Sequence, residues 1–336
     1  MASFSQFGND LYTGKRSFDF VARRRVWFSI AIVMVIAAIA VPFLRGGFVF
    51  GIEFSGGSEF TVSNPATQAD GSIDQGLASD AVTSVLPNAT PKISIVNGGS
   101  SVRVQTDLLK STESDEIRDA LAKSYDVSTD EVTSSFIGAT WGADITRQAL
   151  TALVVFIVLA AIIMALYFRT WKMSVAALIA LFHDLIITAG VYGILGFEVT
   201  PAAVIGFLTI LGYSLYDTVV VFDKIRENTT EGTARTFGES VNLAVNQTLV
   251  RSINTSVVAL LPIGSILFIG AFVLGAGTLR DISLALFIGV LVGTYSTIFI
   301  AAPLYATFRQ GETIVRDSDK KKTTAAVART TSGAVR

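Results

Sequence analysis

The 336-residue chain has no cysteine and a single histidine, His183. The absence of cysteine excludes disulfides, thiolate zinc sites and cysteine nucleophiles. One histidine cannot build a His-rich metal site, and the sequence contains no Gly-rich phosphate loop and no GxSxG or HExxH motif. We therefore expect a protein that is not an enzyme and that holds no metal or organic cofactor.

Charge is also scarce. Charged residues make up 16% of the chain, hydrophobic residues 51%, and the mean hydropathy is +0.57. A soluble domain has about 25% charged residues, so the composition indicates a membrane protein. The net charge of −1 hides an asymmetry, because residues 45–147 hold 7 basic and 14 acidic residues and the remainder is basic.

Six apolar runs are long enough to cross roughly 30 Å of hydrocarbon. They are Val26–Leu44, Ala149–Phe168, Met173–Phe197, Val199–Tyr216, Ser252–Leu279 and Ile282–Phe308. We predict a membrane all-α fold with the first transmembrane helix at 26–44 and a five-helix region at 149–308. The first run could instead be a signal peptide, since Ala38-Ile39-Ala40 has a suitable spacing, but its apolar part exceeds the usual 7–15 residues.

Basic residues predict the orientation. Five of them precede the first run, so the positive-inside rule places residues 1–25 in the cytoplasm, and six crossings return the carboxyl terminus to the same side of the cell membrane. Residues 309–336, with Lys320–Lys322 and no apolar periodicity, are expected to form a disordered basic cytoplasmic tail. The tail could attract anionic lipid or a ribosome, or be merely solvated; we expect membrane lipid and no nucleic acid as a partner.

Residues 45–148 have the pattern of a small α+β domain outside the cytoplasm. Strands are predicted at Gly57–Ser63, Lys92–Val96, Val102–Thr106 and Glu131–Ile137. Helices are predicted at Ile73–Leu86 and Glu113–Tyr125. A turn is expected at Asn97–Gly99 and a helix cap at Thr112 and Asp115. The order βαββαβ is that of a ferredoxin-like unit.

Few ionisable residues lie within or beside the apolar runs, namely His183, Asp184, Asp217 and Arg251. A charge in hydrocarbon is costly, so each is a functional hypothesis. Helical spacing places Thr209, Tyr213 and Asp217 on one polar stripe, and Gln247, Arg251, Asn254 and Thr255 on another. An Asp217–Arg251 contact could transfer protons, or could only lock two helices while Arg251 snorkels to the surface.

Two further interpretations concern the same spans. His183 and Asp184 point about 100° apart on a helix, so we expect only one to face the polar seam. A packed, hydrogen-bonded role is favoured for His183 over proton transfer. Gly289, Gly293 and Ser296 are interpreted as small-residue helix packing.

Residues 212–228, GYSLYDTVVVFDKIREN, resemble the fourth-span signature of SecF proteins. Residues 51–57, GIEFSGG, resemble the Gly-x-Asp/Glu-Phe-x-Gly-Gly motif of the same family. Stretches at 248–255, 279–281 and 293–296 also fit, so the similarity runs in order from the first span to Phe308. One position departs: the family commonly has Asn where this chain has Tyr216, so any hydrogen bond from that Asn to Asp217 must come from elsewhere.

The resemblance implies an RND-type six-helix half that pairs with SecD in a pseudo-twofold, twelve-helix array beside the SecYEG channel. It also implies that the proton-motive force, with protons as the coupling ion, helps preproteins move outward. The candidate relay residues are Asp217, Arg251, Tyr213, Ser214, Asp184 and His183. Gly51, Glu53, Gly56 and Gly57 form the motif at which the first span meets the outer domain; two glycines permit a sharp turn, although a plain strand entry is the alternative.

Two other functions are compatible with parts of the sequence. A small-molecule efflux pump of the same superfamily carries two large outer regions, and one domain of about 100 residues is too small to enclose a substrate path. A passive scaffold is the second alternative. It predicts that neutral replacements of Asp217 and Arg251 that preserve assembly are silent.

Overall fold

The computed structural model describes residues 4–45, 47–67, 73–96, 100–168, 170–230, 235–270 and 277–310. The predicted turn at Asn97–Gly99 and the tail beyond residue 310 lie outside the described residues. The α-helices are α1 Phe4–Tyr12, α2 Arg24–Leu44, α3 Ile52–Ser55, α4 Gln75–Val85, α5 Ser111–Ser124, α6 Ala139–Phe168, α7 Trp171–Leu195, α8 Pro201–Thr230, α9 Phe237–Phe268, α10 Gly277–Ser296 and α11 Ala302–Gln310. A π-helical turn, Thr297–Ala301, joins α10 to α11. The strands are β1 Val49–Phe50, β2 Gly57–Ser63, β3 Lys92–Val96, β4 Ser101–Thr106, β5 Val132–Ile137 and β6 Glu198–Val199.

Six helical segments are long and apolar enough to cross a membrane: α2, α6, α7, α8, α9 and the continuous segment from α10 through α11. The six predicted spans are therefore confirmed. The third, fourth and sixth bury about half of their residues, whereas the first and second bury few of theirs. The centre of the bundle is thus formed by α7, α8 and α10.

Helix α9 differs most from its predicted bounds, because it begins at Phe237 and ends at Phe268 rather than spanning Ser252–Leu279. Its amino-terminal half is polar yet well bonded. The Oδ1 atoms of Asn246 and Asn242 accept from the backbone N–H groups of Phe18 and Phe20 at 2.8 and 2.9 Å. The helix therefore continues through residues that interrupt the apolar run and binds the segment that follows α1, a helix that the sequence did not predict.

Other helix ends also extend past the predicted spans. Helix α8 runs on to Thr230 and α6 already begins at Ala139, because a helix can continue out of hydrocarbon into water while an apolar run cannot. Small residues allow close packing in the centre. A Cβ atom on Gly206 would lie 2.6 Å from the Cβ of Ala285, and one on Gly289 would overlap Ile210. Helices α8 and α10 thus approach closely through glycine.

The small domain has the element order β2–α4–β3–β4–α5–β5 and an antiparallel sheet with strand order β3–β4–β2–β5. The predicted order of strands and helices is therefore present. Alternate residues of the central strands, including Phe60, Val62, Val102 and Val104, pack against α4 and α5. The predicted cap of α5 is wrong, since the helix begins at Ser111 and the Glu113 carboxylate accepts from the Lys110 backbone N–H at 2.9 Å.

A short junction connects the first span to this domain. Strand β1 pairs in parallel with β6, and α3 follows it directly. Gly56 and Gly57 then have φ angles of 72° and 131°, a region that favours glycine. A Cβ atom on Gly57 would also overlap the Thr106 carbonyl oxygen. The positive φ angles expected at this turn are found, and its role as a hinge stays a prediction.

Candidate functional site

Polar side chains meet at the centre of the helix bundle. Helices α7, α8, α9, α10 and the π-helical turn contribute a set that we call the polar network: Asp184, Ser214, Asp217, Thr218, Ser252, Ser256, Thr294, Ser296 and Thr297. Serine and threonine suit this position because they are small enough for close helix packing and can donate to a carboxylate.

Asp184 is completely buried and well bonded. Its Oδ2 atom accepts from Ser214 Oγ at 2.5 Å and from Ser296 Oγ at 2.8 Å. These bonds join α7 to α8 and α10. Gly293 permits the contact, since a Cβ atom there would lie 3.1 Å from the Cβ of Ser214. Ser296 is therefore more than a packing residue, which corrects the sequence-based interpretation.

His183 lies beside Asp184, and both side chains are buried. Its Nδ1 is 3.2 Å from Asp184 Oδ1, while Nε2 has no hydrogen-bond partner among the described residues. The imidazole ring lies 6.2 Å from the ring of Tyr295. The expectation that only one of the two residues could face the seam is wrong, because rotamers of adjacent side chains bring the ring nitrogen back to the carboxylate.

Asp217 has a different environment. Its side chain is 6% exposed, and Oδ1 accepts from Ser252 Oγ at 2.9 Å. Its other oxygen, Oδ2, has no hydrogen-bond partner among the described residues. Tyr216, which stands where the family commonly has Asn, is 55% exposed and does not supply a hydrogen bond to Asp217. Ser252 on α9 supplies one instead. Asp217 remains a buried carboxyl group with unused acceptor capacity.

Arg251 does not pair with Asp217 in this structure. Arg251 Nη2 instead donates to the Tyr216 hydroxyl at 3.4 Å, while the Asp217 carboxylate is bonded to Ser252. Arg251 is exposed on α9 at the level of the polar network. Its neighbour Ser252 bonds to Asp217 while Arg251 itself bonds to Tyr216, so Arg251 and Asp217 lie near each other without direct contact.

The predicted polar stripes are only partly correct. Tyr213 lies beside Ser256, whose Oγ is 2.5 Å from Thr294 Oγ1. Thr209 and Asn254 are instead exposed. On α9 the residues that face the centre are Thr248, Ser252 and Ser256, a hydroxyl series at i, i+4 and i+8. That hydroxyl spacing is visible in the sequence, whereas the positions of the charged residues do not reveal this face of α9.

The π-helical turn lies at the same level. Thr297 is its first residue, and Thr297 Oγ1 is 2.9 Å from Thr218 Oγ1, one residue after Asp217. A π-helical turn within an α-helix is rare and frequently marks a functional site. Among the described residues, no group of three or more His, Asp or Glu side chains could hold a metal ion.

The GIEFSGG motif at the junction, residues 51–57, is separate from the polar network. Gly51, Glu53, Gly56 and Gly57 lie on the β1–α3–β2 connection, outside the spans. A Cβ atom on Gly51 would overlap the Glu53 carboxylate and lie 3.3 Å from Glu198 Oε1. Two acidic side chains, those of Glu53 and Glu198, therefore lie close to the main chain at Gly51.

Six helices of membrane-spanning length around a buried polar network define a multi-pass membrane protein. Residues 117–311 match the sequence model of the family described as "Protein export membrane protein SecD/SecF, C-terminal". The protein translocase subunit SecF of Streptomyces coelicolor is 44% identical over 319 residues, covering 93% of this chain and 82% of that protein. SecF of Mycobacterium tuberculosis H37Rv is 42% identical, covering 94% and 72%.

Two solved structures are similar. SecDF of Thermus thermophilus is 30% identical with a TM-score of 0.72, covering 88% of this chain and 39% of that one. SecDF in a super-membrane-facing form is 28% identical with a TM-score of 0.60, covering 93% and 40%. This chain therefore spans about two fifths of the solved SecDF chains. The chain belongs to the SecF family of protein translocase subunits.

Proposed function

We propose that this chain, together with SecD, uses the proton-motive force to promote the export of preproteins across the cytoplasmic membrane, beside the SecYEG channel. Family membership supports the role in translocation, and the single-chain SecDF relatives support SecD as the partner. The observation that carries the proton coupling is Asp217, a buried carboxyl group with one bonded and one unpartnered oxygen.

The coupling cycle has two states of Asp217. In one, Asp217 is ionised and the Arg251 guanidinium, which remains charged at any relevant pH, approaches it. In the other, solvent from the outer, acidic side reaches the site, Asp217 takes up a proton and the attraction to Arg251 is lost. The energy difference between these states moves α8 against α9, and that motion drives the outer domain.

The position of Arg251 supports a partner in the membrane. An exposed guanidinium within a span is costly in lipid, and Tyr216 and Asn254 are exposed on the same side of α8 and α9. A six-span partner such as SecD would cover this face in an RND-type twelve-helix array. If the chain purified from native membranes ran as a monomer without a six-span companion, this proposal would fail.

The orientation and the domain class belong to the same proposal. Both termini lie in the cytoplasm and the small α+β domain, with its ferredoxin-like strand order, lies outside. The cysteine-free sequence makes the test simple, since a single cysteine at Ser100, an exposed position, should react with an impermeant thiol reagent in intact cells. Protection at that position, with reaction at a cysteine placed at Thr324 in the tail, would reverse the orientation.

The central test measures preprotein export in energised vesicles. Asp217→Asn removes the titratable group but keeps the size of the side chain, so assembly with SecD should persist while stimulation by an imposed proton gradient is lost. Asp223→Asn is the matched control, because Asp223 lies on the same helix but outside the network, bonded to Tyr167 at 2.7 Å. A full gradient response in Asp217→Asn would contradict proton coupling and favour a passive scaffold.

Arg251→Met tests the second partner. Removing the guanidinium leaves Asp217 without its countercharge, so the gradient response should fall at least as far as in Asp217→Asn. Arg251→Lys is the control that keeps the charge. An unchanged response in Arg251→Met would show that Arg251 takes no part in the cycle.

A further inference from the structure

The sheet of the small domain has two chemically different faces. Strand alternation places Phe60, Val62, Val102 and Val104 on the face covered by α4 and α5. It places Glu59, Arg103 and Gln105 on the opposite face, where Glu59 is directly opposite Gln105 in the ladder. This second face carries charge and yet is only partly exposed, which means that another part of the molecule lies against it.

Glu198, in the short connection between α7 and α8, lies against that face. It is 9% exposed, and its carboxylate accepts from Arg103 Nη1 and, at 2.6 Å, from Gln105 Nε2. Glu59 lies 3.3 Å from Arg103 Nε and accepts from Gln105 Nε2 at 3.0 Å. We call these four residues the Glu198 cluster. A buried carboxylate with two donors from one strand is fixed in position, because losing either donor leaves a buried charge undersatisfied.

The connection from Glu198 to α8 is short and well bonded. Strand β6 pairs with β1, and the Gly51 N–H donates to the Val199 carbonyl at 3.1 Å. Thr200 Oγ1 then accepts from the Ala203 N–H at 3.2 Å, at the start of α8, and donates to Asp281 Oδ2 at 2.9 Å. Little freedom remains between the carboxylate of Glu198 and the first turn of α8.

Helix α8 connects the Glu198 end of the molecule to the polar network. It runs from Pro201 to Thr230 as one helix, and Asp217 lies about 24 Å along it at 1.5 Å per residue. The covalent links of the small domain lead to the first and second spans, not to α8. One of those links passes through Gly56 and Gly57, whose backbone freedom suits a turn better than a rigid connection.

We propose that the Glu198 cluster is a rigid mechanical link, which we call the strut, through which α8 moves the small domain. Glu198 is then a positioning residue for transport. The inference rests on the proposed function and gives it a mechanical route. Movement of α8 at Asp217 is passed to β4 through the carboxylate of Glu198, while the glycine turn accommodates the movement. The contact therefore stays closed throughout the cycle.

The first experiment removes the strut. Glu198→Ala should lower gradient-stimulated export about tenfold, while association with SecD and export without a gradient stay unchanged. Glu116→Ala, an exposed carboxylate on α5, is the control. A full gradient response in Glu198→Ala would overturn the inference, whereas a full response in Asp217→Asn in the same assay would instead refute the proposed proton coupling.

The second experiment restores the strut covalently. The double variant Glu198→Cys, Gln105→Cys should be impaired, and bridging the two thiols with a short bifunctional reagent should recover the gradient response. This rescue tests the mechanical link even if Glu198→Ala fails to assemble. A bridge can restore a mechanical link, but it cannot replace a lost proton carrier. A bridged protein that is less active than the unbridged one would show a contact that must open, and would overturn the strut.

Discussion

Asp184 and Asp217 are two buried carboxylates in the same polar network, but they differ in how many hydrogen-bond partners they have. Asp184 is inaccessible and accepts from two serine hydroxyls, with a histidine nitrogen at its other oxygen. Asp217 accepts from one serine and has an oxygen without a partner. Asp184 joins three helices, while Asp217 lies where α8 meets α9 and close to an exposed arginine.

We expect this difference to separate a structural role from a functional one. A carboxylate whose two oxygens both have hydrogen-bond partners is held in one position, because moving it would break several bonds at once. A carboxyl group with one bond can exchange a proton or a countercharge at lower cost. Asp184 and Asp217, both predicted as relay residues, are therefore expected to behave differently when each is replaced.

The largest difference should appear in stability. Asp184→Ala leaves the buried Ser214 hydroxyl without its acceptor and Ser296 with only the Gly293 carbonyl, so we expect the free energy of unfolding to fall by roughly 3 kcal/mol. Asp217→Ala removes one hydrogen bond and should cost about 1 kcal/mol. Denaturant unfolding of the purified protein in detergent measures both, and equal losses would remove the distinction.

A smaller difference should appear between the two serines. Ser252→Ala removes the hydrogen bond to Asp217, so we expect the gradient response of export to fall about threefold with little loss of stability. Ser296→Ala removes one of the two hydroxyl bonds to Asp184 and should lower stability while leaving the response unchanged. If Ser296→Ala impaired the response as much as Ser252→Ala, Asp184 would belong to the coupling path.

A last effect, on the stability of the small domain alone, concerns a buried titratable group far from the network. Tyr125 in the small domain donates to the Asp74 carbonyl oxygen at 2.6 Å, and burial raises the pKa of its phenol to about 12. The pKa in an unfolded chain is about 10. The neutral phenol therefore stabilises the domain fully below about pH 10, and about 2 kcal/mol of this is lost as the pH rises from 10 to 12.

Tyr125→Phe provides the control for that titration. At neutral pH the variant should be about 1 kcal/mol less stable than the native chain because one hydrogen bond is missing. Between pH 10 and 12 its stability should depend less on pH than that of the native chain. Parallel pH dependence in the two proteins would show that Tyr125 does not titrate on unfolding.

The sequence was sufficient for the six spans, for the main elements of the small domain and for the burial of Asp217. Long apolar runs located all six spans, and period-two and period-3.6 patterns located the strands and helices of the small domain. The ends of the apolar runs were a poor guide to helix ends, because the polar Asn242 and Asn246 on α9 bond to the backbone of Phe18 and Phe20, more than two hundred residues earlier. No local pattern contains such a contact.

The partners of the functional side chains could not be predicted for the same reason. Ser252 and Ser296 are ordinary serines until α9 and α10 bring them to Asp217 and Asp184. In the sequence Glu198 is a single charge between two apolar runs, and its bonds to Arg103 and Gln105 depend on how the sheet of the small domain is placed. Single charged residues within apolar spans can be identified from sequence, whereas hydroxyl networks and contacts between domains require tertiary structure.

The most direct test of the account is infrared difference spectroscopy of the SecD-associated protein as the outer pH is lowered. Protonation of a buried carboxylate produces a carboxylic acid carbonyl band. We predict that this band appears in the native protein, persists in Asp184→Asn and is absent in Asp217→Asn. A band that persists in Asp217→Asn and disappears in Asp184→Asn would contradict the assignment of proton uptake to Asp217.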